Sequence, residues 1–248
     1  MRRKSKLFLL LLTILLFLAG VAIMLYPYFQ GASADASMMQ GVQSFYAWLE
    51  KIPSTEETEP DEPIPTETVF HHLELYTAMQ AYNDTIWEEE QANLKDPWSY
   101  TQPSFSLAEY GLDSEIFGVI SIPKLGLEMP LYLGATSQHL AAGAAHLSQT
   151  SLPIGGNNTN CVIAGHRGYG GAAYFRYITD LQPGDTVTIT NLWETLTYEV
   201  CETKIIKPYE VEEIHIQEGR DLLTLLTCHP YGSGGKYRSL VFCQRVNR

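Results

Sequence analysis

Leu7–Tyr26 is a run of twenty residues whose only polar side chain is Thr13. As a helix rising about 1.5 Å per residue, it matches the roughly 30 Å of hydrocarbon in a bilayer. Few other environments suit such a segment, so it divides the chain before anything else is read. Arg2, Arg3, Lys4 and Lys6 precede it, and cations on that flank stay on the cytoplasmic side. The expectation is a single-pass protein of the cell membrane, N-terminus cytoplasmic, with all residues after Tyr26 outside. A cleaved signal peptide is the competing reading, with Ala32-Ser33-Ala34 as its A-x-A site. The apolar run exceeds the roughly 7–15 residues of such peptides, so an uncleaved signal anchor is expected. The cationic cluster argues against a buried core helix.

The remainder has material for a core, since 45% of the 248 residues are hydrophobic. Setting aside the four leading cations leaves 12 Lys and Arg against 28 Asp and Glu, a net charge of −16. Such a surface disfavours nucleic acid or an anionic membrane face as partner. Cys161, Cys201, Cys228 and Cys243 have no C-x-x-C spacing, which argues against a metal knuckle or a thioredoxin-like pair. Disulfides are permitted outside the membrane, and a Cys161–Cys243 bridge is left open. A working thiol at Cys228 would leave an odd number, so at least one other cysteine is expected free and buried.

The chain then falls into segments. Residues 1–28 are the cytoplasmic tail and signal anchor. Residues 29–68 are a weakly amphipathic juxtamembrane stretch followed by an acidic, Pro-rich linker, KIPSTEETEPDEPIPTET, that can hold a domain off the membrane. Within 69–106, Leu73, Tyr76, Met79, Tyr82, Ile86 and Trp87 recur at helical spacing from Val69 to Lys95, and Asp96-Pro97 stops the helix. From 107 to 248 short apolar runs alternate with turn residues: Phe117–Gly134, with prolines expected at strand ends, then Cys161–Ala164, Thr186–Thr190, Leu196–Ile206, Leu222–Thr227 and Leu240–Val246. The pattern predicts a mainly β fold, a closed or nearly closed barrel.

Two strand ends carry chemistry. Leu222–Thr227 is an apolar strand that stops at Cys228, followed by a Pro/Gly loop that ends at Arg238, ten residues on. A thiol at a strand lip facing a fixed cation is a plausible activated nucleophile. Cys161–Ala164 runs into Gly165-His166-Arg167-Gly168, placing an imidazole at another strand end. Singly, each has a plainer explanation: a core cysteine, a solvated histidine, a surface arginine.

Together they resemble a known family. IAGHRG at 163–168, TLLTC at 224–228 and YRSLVFC at 237–243 follow the His, Cys, Arg order of sortases. FGVISIPKLGLEMPLY, GAAHLSQTSLPIGG and CHPYG are similar to class C, pilus-assembling sortases, as is Asp96-Pro97-Trp98. In that class an Asp-Pro-aromatic lid plugs the active site. The Cys-to-Arg interval is about one residue longer than usual for the class, and no second apolar segment follows, so anchoring is expected from the N-terminus.

The resemblance implies an eight-stranded sortase β-barrel after a transmembrane helix and a helical lid region. It implies a cysteine transpeptidase that cleaves LPxTG-type sorting signals through a thioacyl-enzyme. Catalytic roles fall to Cys228 as nucleophile, His166 as acid and base, and Arg238 at the oxyanion. Asp96 and Trp98 would be autoinhibitory, paired with Arg238 and laid on the Cys228 sulfur. Partners would be LPxTG-type surface proteins or pilin subunits, with a pilin lysine or a peptidoglycan-precursor amine as acceptor, and no metal or organic cofactor. The alternatives are a housekeeping-type sortase that attaches proteins to peptidoglycan, and a non-catalytic tethered β-barrel that binds surface proteins. A papain-like protease is poorly supported, because the early Cys and late His order is missing.

Overall fold

The apolar runs become eight strands in a computed structural model that describes residues 2–51, 72–94 and 105–246. They are β1 (Ile116–Ile122), β2 (Leu127–Leu133), β3 (Ala144–His146), β4 (Thr159–Ala164), β5 (Thr186–Thr190), β6 (Thr195–Ile206), β7 (Asp221–His229) and β8 (Tyr237–Arg245). They close into a barrel in the order β1-β2-β3-β4-β7-β8-β6-β5. Closure leaves no open strand edge. The β2–β3 and β4–β7 pairs are parallel and the other six antiparallel.

The apolar character of β7 follows from its position. Leu223 and Leu225 join Leu131, Ile163 and Val241 in the main core. Leu226 belongs to a second cluster with Ala145, Val162, Ala164 and Leu240, which also includes Leu94, Leu140 and Ile214. A strand covered on both faces reads as a continuous apolar run, and each buried leucine contributes about 1.5–3 kcal/mol.

Among the described residues three α-helices flank the barrel: α1 (Arg2–Leu49), α2 (Leu73–Glu88) and α3 (Ser137–Ala142). The apolar run and the residues after it form one uninterrupted helix, with Pro27 inside it. Its most apolar 18 residues have a mean hydropathy of 3.0 and are not buried by protein, and it is long and apolar enough to cross a membrane. Beyond Tyr26 one face turns inward: Gly31, Met38, Val42 and Phe45 are buried, recurring at the three-to-four spacing of a helix that covers a core.

Several expectations change. α2 stops at Glu88, well before Pro97, because Glu90 and Gln91 adopt left-handed backbone angles. Gln91 is held there by tertiary bonds, donating to the Gln149 carbonyl (3.1 Å) and accepting from the Ile216 amide (2.6 Å). The buried face of α2 is Leu75, Met79, Asn83 and Ile86, while Leu73 is exposed. Pro130 lies inside β2 rather than at its end. Pairing to β3 begins only at Leu131, and the Pro130 ring instead meets Gly41 of α1. A Cys161–Cys243 bridge does not form, since all four cysteines are free. Cys161 and Cys243 flank Leu223 from opposite sides, two strand spacings or about 10 Å apart, beyond disulfide reach.

His146 of β3 is wholly buried and donates from Nε2 to the Thr150 carbonyl (3.0 Å). Burial lowers its pKa from 6.5 to about 4, against a smaller opposing effect of backbone hydrogen bonds at Thr150 and Ser151. Below pH 6.5 the unfolded chain takes up a proton that the folded chain refuses, so stability falls as pH drops toward 4. The expected loss from this residue is about 3 kcal/mol. Denaturant unfolding of wild type and His146→Gln at pH 7 and 4.5 measures it. Over that pH interval, which stops just above the folded-state pKa, the variant should lose less stability than wild type by about 2 kcal/mol, and equal losses would exclude the coupling.

Candidate active site

Register decides which strand ends meet. Parallel pairing aligns Ala164 of β4 with Leu226 of β7, so His166 and Cys228 each stand two residues past an aligned pair, at the same rim. Antiparallel pairing then sets Cys228 opposite Arg238 at the start of β8. Three residues separated by up to 72 positions are thereby gathered on three adjacent strands. Cys228 is half-buried and Arg238 is 4% exposed. Asp96 and Trp98 lie outside the described residues.

The two threonines of TLLTC tie the Cys strand to the His strand. Thr224 Oγ1 donates to Asn160 Oδ1 (2.8 Å), and Asn160 Nδ2 donates to the Ile214 carbonyl (3.0 Å). Thr227 Oγ1 donates to the carbonyl of Gly165 (2.8 Å), the residue before His166. The Gly165 amide donates in turn to the Leu226 carbonyl (3.0 Å). The positions of thiol and imidazole are thus coupled through the backbone on either side of each.

Arginines clasp the loops above. Arg167 Nη1 donates to His229 Nδ1 (2.6 Å) and the Cys228 carbonyl (3.3 Å), and Nη2 to Thr179 Oγ1 (3.2 Å). Burial, then the Arg167 charge, lowers the pKa of His229. Arg176 Nη2 donates to Tyr231 Oη (3.0 Å), its guanidinium 4.5 Å from the ring centroid. Arg238 Nη1 donates to the carbonyls of Gly235 (2.5 Å) and Tyr237 (3.3 Å). Gly235 has φ +83, and a Cβ there would lie 3.2 Å from both Cys228 Sγ and Arg238 Nη1. The loop therefore crosses directly over thiol and guanidinium, and a glycine permits both that backbone angle and that closeness.

His166 is fixed by aromatic rings of its own loop. Tyr169 stacks on it at 4.6 Å and Tyr174 meets it edge-on at 6.0 Å. Tyr174 Oη donates to the Ala141 carbonyl (2.7 Å), and the Phe175 amide to the His166 carbonyl (2.9 Å). Burial lowers the His166 pKa from 6.5, so at neutral pH the imidazole is ready to accept a proton. Arg167 was legible as the residue next to His166. The roles of Thr227, Tyr174 and Gly235 needed the register.

A cavity of about 510 Å³ lies elsewhere, lined by Asn83, Asp84, Glu194, Asp221 and Arg245. Asp221 opens β7 and Cys228 nears its end, about 23 Å apart along a strand. This cavity therefore sits at the opposite end of the barrel. Among the described residues no group of three or more His, Cys, Asp or Glu is placed to hold a metal ion.

Comparison with known proteins gives this rim a lineage. The sortase domain family matches residues 120–246, which contain the three strand ends. The chain belongs to the sortase family, a family of cysteine transpeptidases. Over 131 residues it is 29% identical to sortase D of Bacillus subtilis, a match that spans 52% of this chain and 63% of that protein's length. Sortase A of Bacillus anthracis is 29% identical over 154 residues, covering 60% of this chain and 70% of the relative. Among solved structures, a pilus-related sortase C of Group B Streptococcus superposes with a TM-score of 0.68 at 31% identity, covering 83% of this chain and 97% of that one. Sortase C-1 of Actinomyces oris does so with a TM-score of 0.60 at 34% identity, covering 71% and 99%. This sortase is similar to pilus-class structures over a region wider than its barrel.

The cysteines of this sortase differ in reactivity. Burial pushes the Cys161 thiol far up, with the Asp221 charge adding to it, and burial likewise raises the Cys243 thiol. Neither forms thiolate near neutral pH, and the thiolate is the reacting species. Iodoacetamide on the native full-length protein at pH 7.5 is expected to modify Cys201, which is exposed, and Cys228. In Cys201→Ala a single adduct should map to Cys228 by peptide mass spectrometry. Modification of Cys161 or Cys243 in the folded protein would contradict the assignment.

Proposed function

We propose that this sortase is a membrane-anchored transpeptidase with its catalytic domain outside the cell, and that it joins LPxTG-type sorting signals to an amine. The observation that carries the reading is the direct pairing of Cys228 with Arg238 beside a strand end bearing His166. Cys228 sulfur attacks the carbonyl carbon of the sorting-signal threonine as its thiol proton passes to His166. The C–N bond to the following residue breaks, and His166 supplies the proton that the leaving amine takes up. Arg238, nearly buried and fixed by two carbonyls, places positive charge where the oxyanion develops. The acceptor amine then attacks the thioester, its proton passes to His166, the C–S bond breaks, and His166 returns that proton to the Cys228 sulfur.

The acceptor we favour is a pilin lysine, giving isopeptide-linked polymers. Similarity to sortase C structures over more than four fifths of the chain supports that acceptor over a peptidoglycan precursor. The domain boundaries read from the sequence are retained as part of this proposal. Full-length protein in detergent, mixed with an LPxTG peptide and a primary amine, should show by intact mass a thioacyl adduct at Cys228. An amine-ligated peptide should accompany it, and both should be missing in Cys228→Ala. No adduct across several sorting motifs, even with the lid variants below, would favour the binding-module reading.

A lid carrying Asp96 and Trp98 is part of the same proposal. Its support is the anchoring of the preceding residue stretch: Leu94 is buried in the cluster of Leu226 and Leu240, two residues from Cys228 and Arg238. Restraint over the thiol predicts faster iodoacetamide modification of Cys228 in Asp96→Ala and Trp98→Ala, by about twofold to tenfold, the change expected from losing a contact worth about 0.3–1.5 kcal/mol. Wild-type reactivity and turnover in both variants would remove the lid.

A further inference from the structure

The helix that crosses the membrane also touches the loop that holds His166. Gly31 of α1 is buried, and a Cβ there would stand 2.7 Å from the Gly171 carbonyl carbon and 2.8 Å from its oxygen. Reciprocally, a Cβ on Gly171 would stand 3.0 Å from the Gly31 nitrogen and still closer to the Pro27 carbonyl oxygen. Two glycines thus let a helix backbone rest directly on a loop backbone. The loop is short: Tyr169 and Ala172 exchange backbone hydrogen bonds across Gly170 and Gly171, and Tyr169 is the ring stacked on His166. The Asp35 charge on α1 raises the Tyr174 pKa, after burial and Tyr169, so α1 also passes near the second ring against the imidazole.

Distance from the membrane follows from the same contact. Gly31 lies five residues past Tyr26 on a continuous helix, about 8 Å beyond the end of the apolar run. Tyr26, Tyr28 and Phe29 are exposed there, and aromatic side chains favour the bilayer interface.

We propose that Gly31 and Gly171 are positioning residues, through which the membrane-spanning helix clamps the His166 loop and holds the reaction rim at the bilayer surface. Donor and acceptor chains would meet the thiol close to the lipid headgroups. The inference rests on the transpeptidase reading for its kinetic part alone.

Gly31→Leu in the full-length protein in lipid nanodiscs tests it, with Gly20→Leu as control, because nothing lies within 4 Å of a Cβ at Gly20. Leucine is a better helix former than glycine, so weakening of α1 itself is not the source of any loss. Amine transfer from an LPxTG peptide should fall in kcat by tenfold or more in Gly31→Leu, with little change in KM. The His166 imidazole, assigned by its loss in His166→Gln and followed by NMR, should titrate at higher pH as the loop loosens and burial is relieved. Charged and titratable groups around it are Tyr169, Tyr174 and Arg167 on its own loop, Cys228 on β7, Arg238 on β8 and Asp35 on α1. Gly20→Leu should match wild type in both readouts. An unchanged His166 titration in Gly31→Leu overturns the proposal whether or not the protein is active. Lower thermal stability with unchanged titration and kcat would mark the contact as structural only.

Discussion

The parallel pairing of β4 with β7 is the constraint on which this site depends. Only a parallel pair places the C-terminal ends of two strands side by side, and here those ends carry His166 and Cys228. Parallel neighbours need a long crossover, and the chain between Ala164 and Asp221 supplies it by building β5 and β6 on the other side of the barrel. β8 then returns antiparallel against β7 and begins at the same rim, which puts Arg238 opposite Cys228. A one-residue slip in either pairing would turn side chains to the opposite face and separate thiol from guanidinium. Buried leucines on both faces of β7 set that register.

Around this pairing the rim is braced at several heights. Thr224 and Thr227 join β7 to β4 and to the residue before His166, Arg167 and Arg176 join the loops above, and Gly235 seats the last loop against the thiol. The two threonine bonds are buried, where an unsatisfied polar group costs about 1–3 kcal/mol. The TLLTC signature is therefore more than a thiol with apolar company. Its two hydroxyls are the fasteners of the strand pair.

α1 extends the same logic outward. A helix that ended at the membrane and continued as a free spacer would leave the barrel to find its own distance from the lipid. Instead the helix runs on without interruption, buries Met38, Val42 and Phe45 in the barrel's core cluster, and lays Gly41 on Pro130. Apolar helix and barrel become one framework, with the rim of Cys228 and His166 near the contact of Gly31 with Gly171.

Periodicity and motif alone determined the long apolar helix, the β-rich class and the family, and they named the three candidate site residues. These are local properties: twenty apolar residues, alternating strands and turns, and short signatures that carry their own spacing. Tertiary structure decided what depends on distant partners. α2 ended early because Gln91 found hydrogen bonds with Gln149 and Ile216, far off in the chain and invisible to any window around Asp96-Pro97. Pro130 sits inside a strand because its flank meets a helix rather than another strand. Cys161 and Cys243 stay apart because Leu223 is paired between them. The contact of Gly31 with Gly171 spans 140 residues and involves no side chain at all, so no pattern of hydrophobicity or charge announces it.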